Sequence, residues 1–287
     1  MTEVWKERME SIASEDELTR IRLVASDLDG TLLLNGAKQP SARAFELIEA
    51  LVERGVIFLP ASGRQFASLK KLFAPIADSL SFLCENGALV MYQDIPVVRR
   101  GFSRALALQI ARAAVAYPDT HVIVSGERHG YVPAGDDAFI DHLRNDIGND
   151  VVPVVSMADI DEPILKVAFK TLHTMQHLAR TYFEDEFGQW ASVMTSGTEW
   201  TDIVPKGIDK GAALQDFGRL MGIAPQQMAA FGDNENDYGM LTLVGHPYLM
   251  KNCNPTMRGV VSGATITTSV EDELEKLLEH PESLARA

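Results

Sequence analysis

Cysteine is almost missing from this sequence: 287 residues contain 2, Cys84 and Cys253. Two thiols so far apart make no disulfide framework, so a reducing cytosol is the expected compartment. Also missing is any apolar run of the roughly 18 residues needed to span a bilayer. The first 20 residues (MTEVWKERMESIASEDELTR) carry mixed charge and lack the apolar segment of a signal peptide. They read as a charged leader with no assignable chemistry. Positive charge is in deficit. Lys and Arg number 26 against 40 Asp and Glu, a formal net charge of −14. That balance opposes sequence-independent binding to nucleic acid or an anionic membrane, while a locally positive site for a small anion stays compatible with it. Tryptophan is scarce too, and Trp5, Trp190 and Trp200 make no stacking platform for bases.

What is present is globular material. Hydrophobic residues at 46% and charged residues at 23% exclude a disordered chain. At about 150 residues per domain the length predicts roughly two domains. Short apolar runs occur at residues 21–26, 56–59, 81–84 and 228–231, each of strand length. Helical stripes alternate with them. Ser41 caps a helix reaching Arg54 with Phe45, Ile48, Leu51 and Val52 on one face, and others are predicted over 65–73, 209–221, 237–244 and 271–278. Further strands are expected at 248–250 and 264–267. This order predicts an α/β, Rossmann-like doubly wound parallel sheet.

The middle reads differently. After a helix behind Ser103, strands are expected at 121–125 and 151–155. Leu165, Val167 and Phe169 alternate with Lys166 and Lys170, the period of a sheet with one wet face. A helix over 173–187 and a hairpin of 190–195 with 200–204 complete an inserted α+β unit with a largely antiparallel sheet. The expected organisation is a core from 1–90 and 206–287, with 91–205 inserted.

The strongest chemical signal is Asp27-Leu28-Asp29-Gly30-Thr31, where the first apolar run stops. Chance produces it in roughly two of a thousand such chains. As turn formers these residues have a plain reading. That reading leaves unexplained two carboxylates at i and i+2, which an extended segment turns to one side at the sheet's C-terminal edge. Close carboxylates repel, raising one pKa unless a cation sits nearby, and Mg²⁺, a hard ion with oxygen ligands, suits them. Gly232-Asp233-Asn234-Glu235-Asn236-Asp237 follows the fourth run. It is no calcium loop, since position 12 counted from Asp233 is Val244 rather than Glu. Ser62-Gly63-Arg64 follows the second run and Lys210-Gly211 opens a helix. Hydroxyl, backbone N–H, lysine and helix N-terminus all hold phosphate, though each alone reads equally as a cap or a solvated lysine. Other candidates fall away. His173 and His177 lack a third ligand and read as a solvated helix face, His121 and His129 as loop charge, and Cys84 as core.

In this order the four pieces resemble the haloacid dehalogenase superfamily of phosphotransferases, over residues 21–270, with Ser62 where the family often has Thr. The insert between Ser62 and Lys210, with Glu85-Asn86-Gly87-Ala88 and residues 205–211, resembles its class IIB, Cof-like branch. The long leader and the tail from Ser269 to Glu273, which lacks the usual Gly-Val, depart from it. The resemblance implies that Asp27 is the nucleophile forming an aspartyl-phosphate and Asp29 the general acid and base. It implies Mg²⁺ held by Asp27, Asp233 and the main-chain carbonyl of Asp29. Ser62, Gly63 and Lys210 would grip the phosphoryl group and Asn236 would contact it. Asp237 would orient Lys210 or the metal shell, with Thr31, Arg64 and Asn86 in support. The implied activity is Mg²⁺-dependent hydrolysis of a small phosphorylated metabolite, a sugar phosphate foremost, in the cytoplasm, with the insert acting as a cap that selects the substrate and excludes water. Two competitors share the sequence features: phosphohexomutase-type transfer to a second hydroxyl, and a catalytically silent phosphate-binding module. Against the silent module stands the full set of nucleophile, acid, lysine and metal carboxylate.

Overall fold

The computed structural model describes residues 20–196 and 199–284; the charged leader and the tip of the predicted hairpin lie outside the described residues. Strand β1 (Leu23–Ser26) is buried along its whole length. Helix α1 (Ala42–Glu53) starts where the Ser41 hydroxyl accepts from the Ala44 N–H at 3.0 Å, and it buries Ala44, Ile48 and Leu51. Strand β2 (Ile57–Pro60), helix α2 (Phe66–Leu72) and strands β3 (Ser81–Cys84), β4 (Leu89–Tyr92) and β5 (Ile95–Arg99) follow. The insert contributes α3 (Arg104–Ala116), β6 (His121–Gly126), β7 (Gly130–Pro133), α4 (Asp137–His142), β8 (Val151–Val154), β9 (Ile164–Lys170), α5 (Gln176–Phe187), β10 (Ala191–Ser196) and β11 (Trp200–Pro205). The chain returns through α6 (Lys210–Met221), β12 (Met228–Gly232), α7 (Tyr238–Leu243), β13 (His246–Met250), β14 (Thr265–Thr267) and α8 (Val270–Glu279).

The core is a five-stranded sheet in the order β14-β13-β12-β1-β2, every pair parallel. Both faces are covered, as a parallel sheet requires. Ile48 of α1 and Leu274 of α8 pack with Val24, Phe58 and Phe231 on one side. Leu214 and Phe217 of α6 and Met240 of α7 pack with Leu23, Leu59 and Leu249 on the other. Because β1 and β12 are neighbours, with Ser26 opposite Phe231, the two acidic loops that follow them emerge side by side.

The run at 81–84 is not a further member of this sheet in the simple sense expected. A single parallel bridge, Ala61 to Leu83, joins it to the end of β2, and it then opens an antiparallel sheet β3-β4-β5. The β4–β5 hairpin escaped the sequence reading because its turn residues, Gln93 and Asp94, hold positive φ angles of 50° and 61° without a glycine to mark them. Val90 and Val98 of this sheet pack with Leu214, whereas Phe102 packs against the insert's own cluster.

The insert carries a six-stranded sheet, β10-β11-β9-β6-β7-β8, antiparallel except for β7 with β8. Ile110 of α3 and Phe183 of α5 cover one face together with Val167 and Phe169. The opposite face is not wet at Lys166, which is only 6% exposed, because there it meets the core. That corrects the expectation drawn from alternation. Among the described residues no helix is long and apolar enough to cross a membrane.

Candidate active site

The site grows from the C-terminal ends of β1 and β12. The Asp27 N–H donates to the Phe231 carbonyl at 2.9 Å, carrying the pairing one residue past the strand, so the Asp27 side chain starts from a fixed, buried base. Lys210 sits at the first position of α6, behind an Asp209 cap that accepts from the Ala212 N–H at 2.8 Å. Its side chain is fully buried, with Nζ donating to Asp27 Oδ1 at 2.5 Å and to Asp237 Oδ1 at 2.7 Å. Glycine permits this approach: a Cβ on Gly211 would lie 2.2 Å from the Gly239 carbonyl carbon in α7. The other oxygen of Asp237 accepts the N–H groups of Asp233 and Asn234 at 2.9 and 3.1 Å, which fixes the second acidic loop. Thr31 donates to Asp233 Oδ1 at 3.1 Å. Gly30 holds φ +93°, and a Cβ there would meet Asp233 Oδ2 at 2.4 Å.

Electrostatics follow from this packing. Burial, then the charge of Asp237, pushes the Asp27 carboxyl up to about 8 despite Lys210 beside it. Burial, then Asp237, raises Asp233 to about 6. Burial works against the charge on Lys210, but Asp237 and Asp27 more than offset it and hold the ammonium above the usual lysine range. Oxygens of Asp27, Asp233 and Asp237 lie within 4.8 Å of one another. Asp237 is committed to Lys210 and to two N–H groups, while Asp27 and Asp233 each spend one oxygen, on Lys210 and on Thr31, and keep the second. Two raised carboxylates with free oxygens form a donor set that fits a hard divalent cation.

Asp29 has a different environment. Its carboxylate is 63% exposed and is gripped by the Arg64 guanidinium, with contacts of 2.8, 3.1 and 3.3 Å. Both residues line a cavity of about 540 Å³ between core and insert, with Ser62 and Gly63 from the core and Ile123, Lys166, Trp200 and Asp202 from the insert among its walls. Ser62 is buried, and its hydroxyl oxygen accepts from the Arg64 N–H at 3.3 Å. Asn236 is half-buried beside Asp237. Asn86 is not directed at the acidic loops: its amide donates to Asp202 of the insert at 2.9 Å.

Sequence reasoning missed Lys166 and Asp202. The only signal for Asp202 was its place in a strand entering the site region, and Lys166 was hidden by an alternation that assigned it to solvent. The candidates set aside stay outside: His173 and His177 are exposed, and Cys84 is buried, with burial holding its thiol well above the ordinary range.

Comparison with known proteins gives a family and close relatives in length. A family model described as haloacid dehalogenase-like hydrolase matches residues 24–273. A 5-amino-6-(5-phospho-D-ribitylamino)uracil phosphatase of Escherichia coli (strain K12) is 22% identical over 263 residues, covering 91% of this chain and 97% of its own. An HMP-PP phosphatase of Cronobacter sakazakii is 28% identical over 272 residues, again covering 91% and 97%. The solved structure of the subclass IIB sugar phosphatase BT4131 superposes with a TM-score of 0.73 at 17% identity, over 91% of this chain and 99% of that one. At that identity the likeness concerns the fold.

Proposed function

The chain belongs to the haloacid dehalogenase-like hydrolase family, and from that membership we propose that it is a divalent-metal-dependent phosphomonoesterase acting on a small phosphorylated metabolite. The observation that carries the reading is the buried Lys210 bridging Asp237 and Asp27, the latter two residues before the Asp29 that lines the cavity. The relatives named as phosphatases of small phosphometabolites support the substrate class. The two-domain division is part of the proposal. The cap starts nearer Phe102 than residue 91, because β5 pairs with β4 and Val98 packs in the core.

Asp27, Asp233 and the main-chain carbonyl of Asp29 would hold Mg²⁺. When bound, it supplies positive charge between the carboxylates and at the phosphoryl oxygens. The proton that Asp27 otherwise retains up to about pH 8 must leave before its oxygen can attack. Asp27 Oδ then forms a bond to phosphorus as the bond to the leaving oxygen breaks, giving an aspartyl-phosphate. Freed from the Arg64 fork and carrying a proton, Asp29 gives that proton to the departing alkoxide and is left as a carboxylate. It then takes a proton from the water whose oxygen attacks phosphorus as the bond to Asp27 breaks, which restores its acid form. Lys210, the Ser62 hydroxyl and Asn236 bind the phosphoryl oxygens as their charge shifts. Thr31 and Asp237 keep Asp233 and Lys210 in place.

The test is hydrolysis of an aryl phosphate with Mg²⁺, compared with Asp27→Asn and with EDTA. Turnover that disappears in both is expected. Equal turnover by the variant, or full activity in EDTA, rejects the reading. A hexose 1-phosphate separates the mutase alternative, which yields the 6-phosphate without free phosphate.

A further inference from the structure

Three consecutive residues after β3 hold left-handed backbone: Glu85 (φ 52°), Asn86 (φ 56°) and Gly87 (φ 100°). Glycine does so freely. For a glutamate and an asparagine in succession it persists only where the surroundings over-determine it, and such strain gathers at functional sites. Here the side-chain part of those surroundings comes from the other domain. Lys166 Nζ of β9 lies 2.7 Å from Glu85 Oε2 and 3.5 Å from Asp202 Oδ1. Asp202 of β11 in turn accepts from the Asn86 amide at 2.9 Å. All three charged side chains are less than a tenth exposed.

The same turn holds the loop Ser62-Gly63-Arg64. The Asn86 N–H donates to the Ser62 carbonyl and the Glu85 N–H to the Arg64 carbonyl, both at 3.1 Å. The carbonyl between them, that of Gly63, accepts from Lys166 Nζ at 2.6 Å. Three successive carbonyls of the loop are therefore tied down, one directly by the cap and two by a strained turn that the cap holds. Fixing a carbonyl fixes its peptide plane, and with it the direction of the following N–H.

We propose that Lys166 and Asp202 are positioning residues: seated on the Glu85-Asn86 turn, they set the peptide planes of Ser62–Arg64, so that seating the cap and completing the phosphate cradle are one event. Neither needs to touch the substrate's phosphorus for this. The inference uses the phosphatase reading for its kinetic assay but stands on its own geometry.

Four variants test it on the full chain: Lys166→Met, Asp202→Ala, Asp202→Asn, and Phe169→Leu as a control in the cap interior, where Phe169 is fully buried away from the turn. With an aryl phosphate and Mg²⁺, K166M and D202A should lose about 100-fold in kcat, the scale of an ångström misplacement, with KM moved less than about threefold. D202N, which keeps an acceptor for Asn86, should recover at least about tenfold of the D202A loss. F169L should lower the melting temperature without the loss in kcat. Amide exchange at residues 62–64 and 85–87 should quicken in K166M and not in F169L. Folded K166M and D202A with the kcat of F169L, or with exchange no faster than its own, overturn the proposal. If the wild type hydrolyses no phosphate ester, the functional reading fails, and exchange alone still decides the coupling.

Discussion

Replacing Asp27 with asparagine should stabilise the metal-free protein, and should do so more as the pH rises. The residue is 7% exposed and its carboxyl is pushed up to about 8, against an ordinary value of 3.8. In the unfolded chain this group is ionised above pH 4. Below pH 8 the folded protein therefore binds a proton that the unfolded one does not, and stability falls as pH rises from 3.8 to 8. Each pH unit costs about 1.4 kcal/mol. At pH 7 the accumulated cost is about 4 kcal/mol, and above pH 8 it levels off. An amide of the same shape carries no such cost, its oxygen can still accept from Lys210, and Lys210 keeps Asp237 at 2.7 Å. In EDTA the melting temperature of D27N should thus match wild type near pH 4 and exceed it by roughly 10 °C at pH 7. Mg²⁺ at about a hundred times its dissociation constant should restore roughly 2.7 kcal/mol to wild type and little to the variant. A gap that stays flat from pH 4 to 8, or a variant less stable throughout, refutes the assignment of burial and carboxylate repulsion as the forces at Asp27.

Further outcomes follow from the same contacts. Lys210→Met leaves Asp27 and Asp237 buried without a cation. It should cost about 3–5 kcal/mol in denaturant melts and lower aryl phosphate turnover by at least about 10²-fold; a stable, active variant contradicts the bridging role. Gly30→Ala forces a Cβ toward Asp233 Oδ2 at φ +93°. Calorimetric Mg²⁺ affinity should fall by about tenfold or more while the chain still folds at a cost of about 1–3 kcal/mol, and unchanged affinity removes Asp233 from the proposed ligand set.

Much of this arrangement was legible in the residues. The runs that became β1, β2 and β12 are apolar on both faces and stop at acidic or hydroxylic residues, which only a sheet covered on both sides explains. That placed Asp27, Ser62 and Asp233 at one edge, and the helix starting at Lys210 supplied the cation. Pairing order was not legible: nothing local tells β1 to lie between β12 and β2. Lys166 was misplaced because alternation records only that a residue shares one face, not whether that face meets water or another domain. The left-handed turn at Glu85 and Asn86 was invisible for a related reason. Its conformation is held by residues remote in the chain, Lys166 and Asp202 together with the Ser62 and Arg64 carbonyls, and not by the local preferences of Glu and Asn.

The insertion of one domain within another has a consequence for how the protein is made. Lys210 lies 183 residues after its partner Asp27. At ribosomal speeds of about 5–20 residues per second, roughly 10 to 40 seconds separate the emergence of the two. Through that interval β1 has no β12 beside it, and the first acidic loop has neither its ammonium nor its companion carboxylates. A nascent chain halted after the inserted domain can hold a folded cap and yet no catalytic machinery, so activity on the ribosome should arise late and all at once, with the arrival of β12.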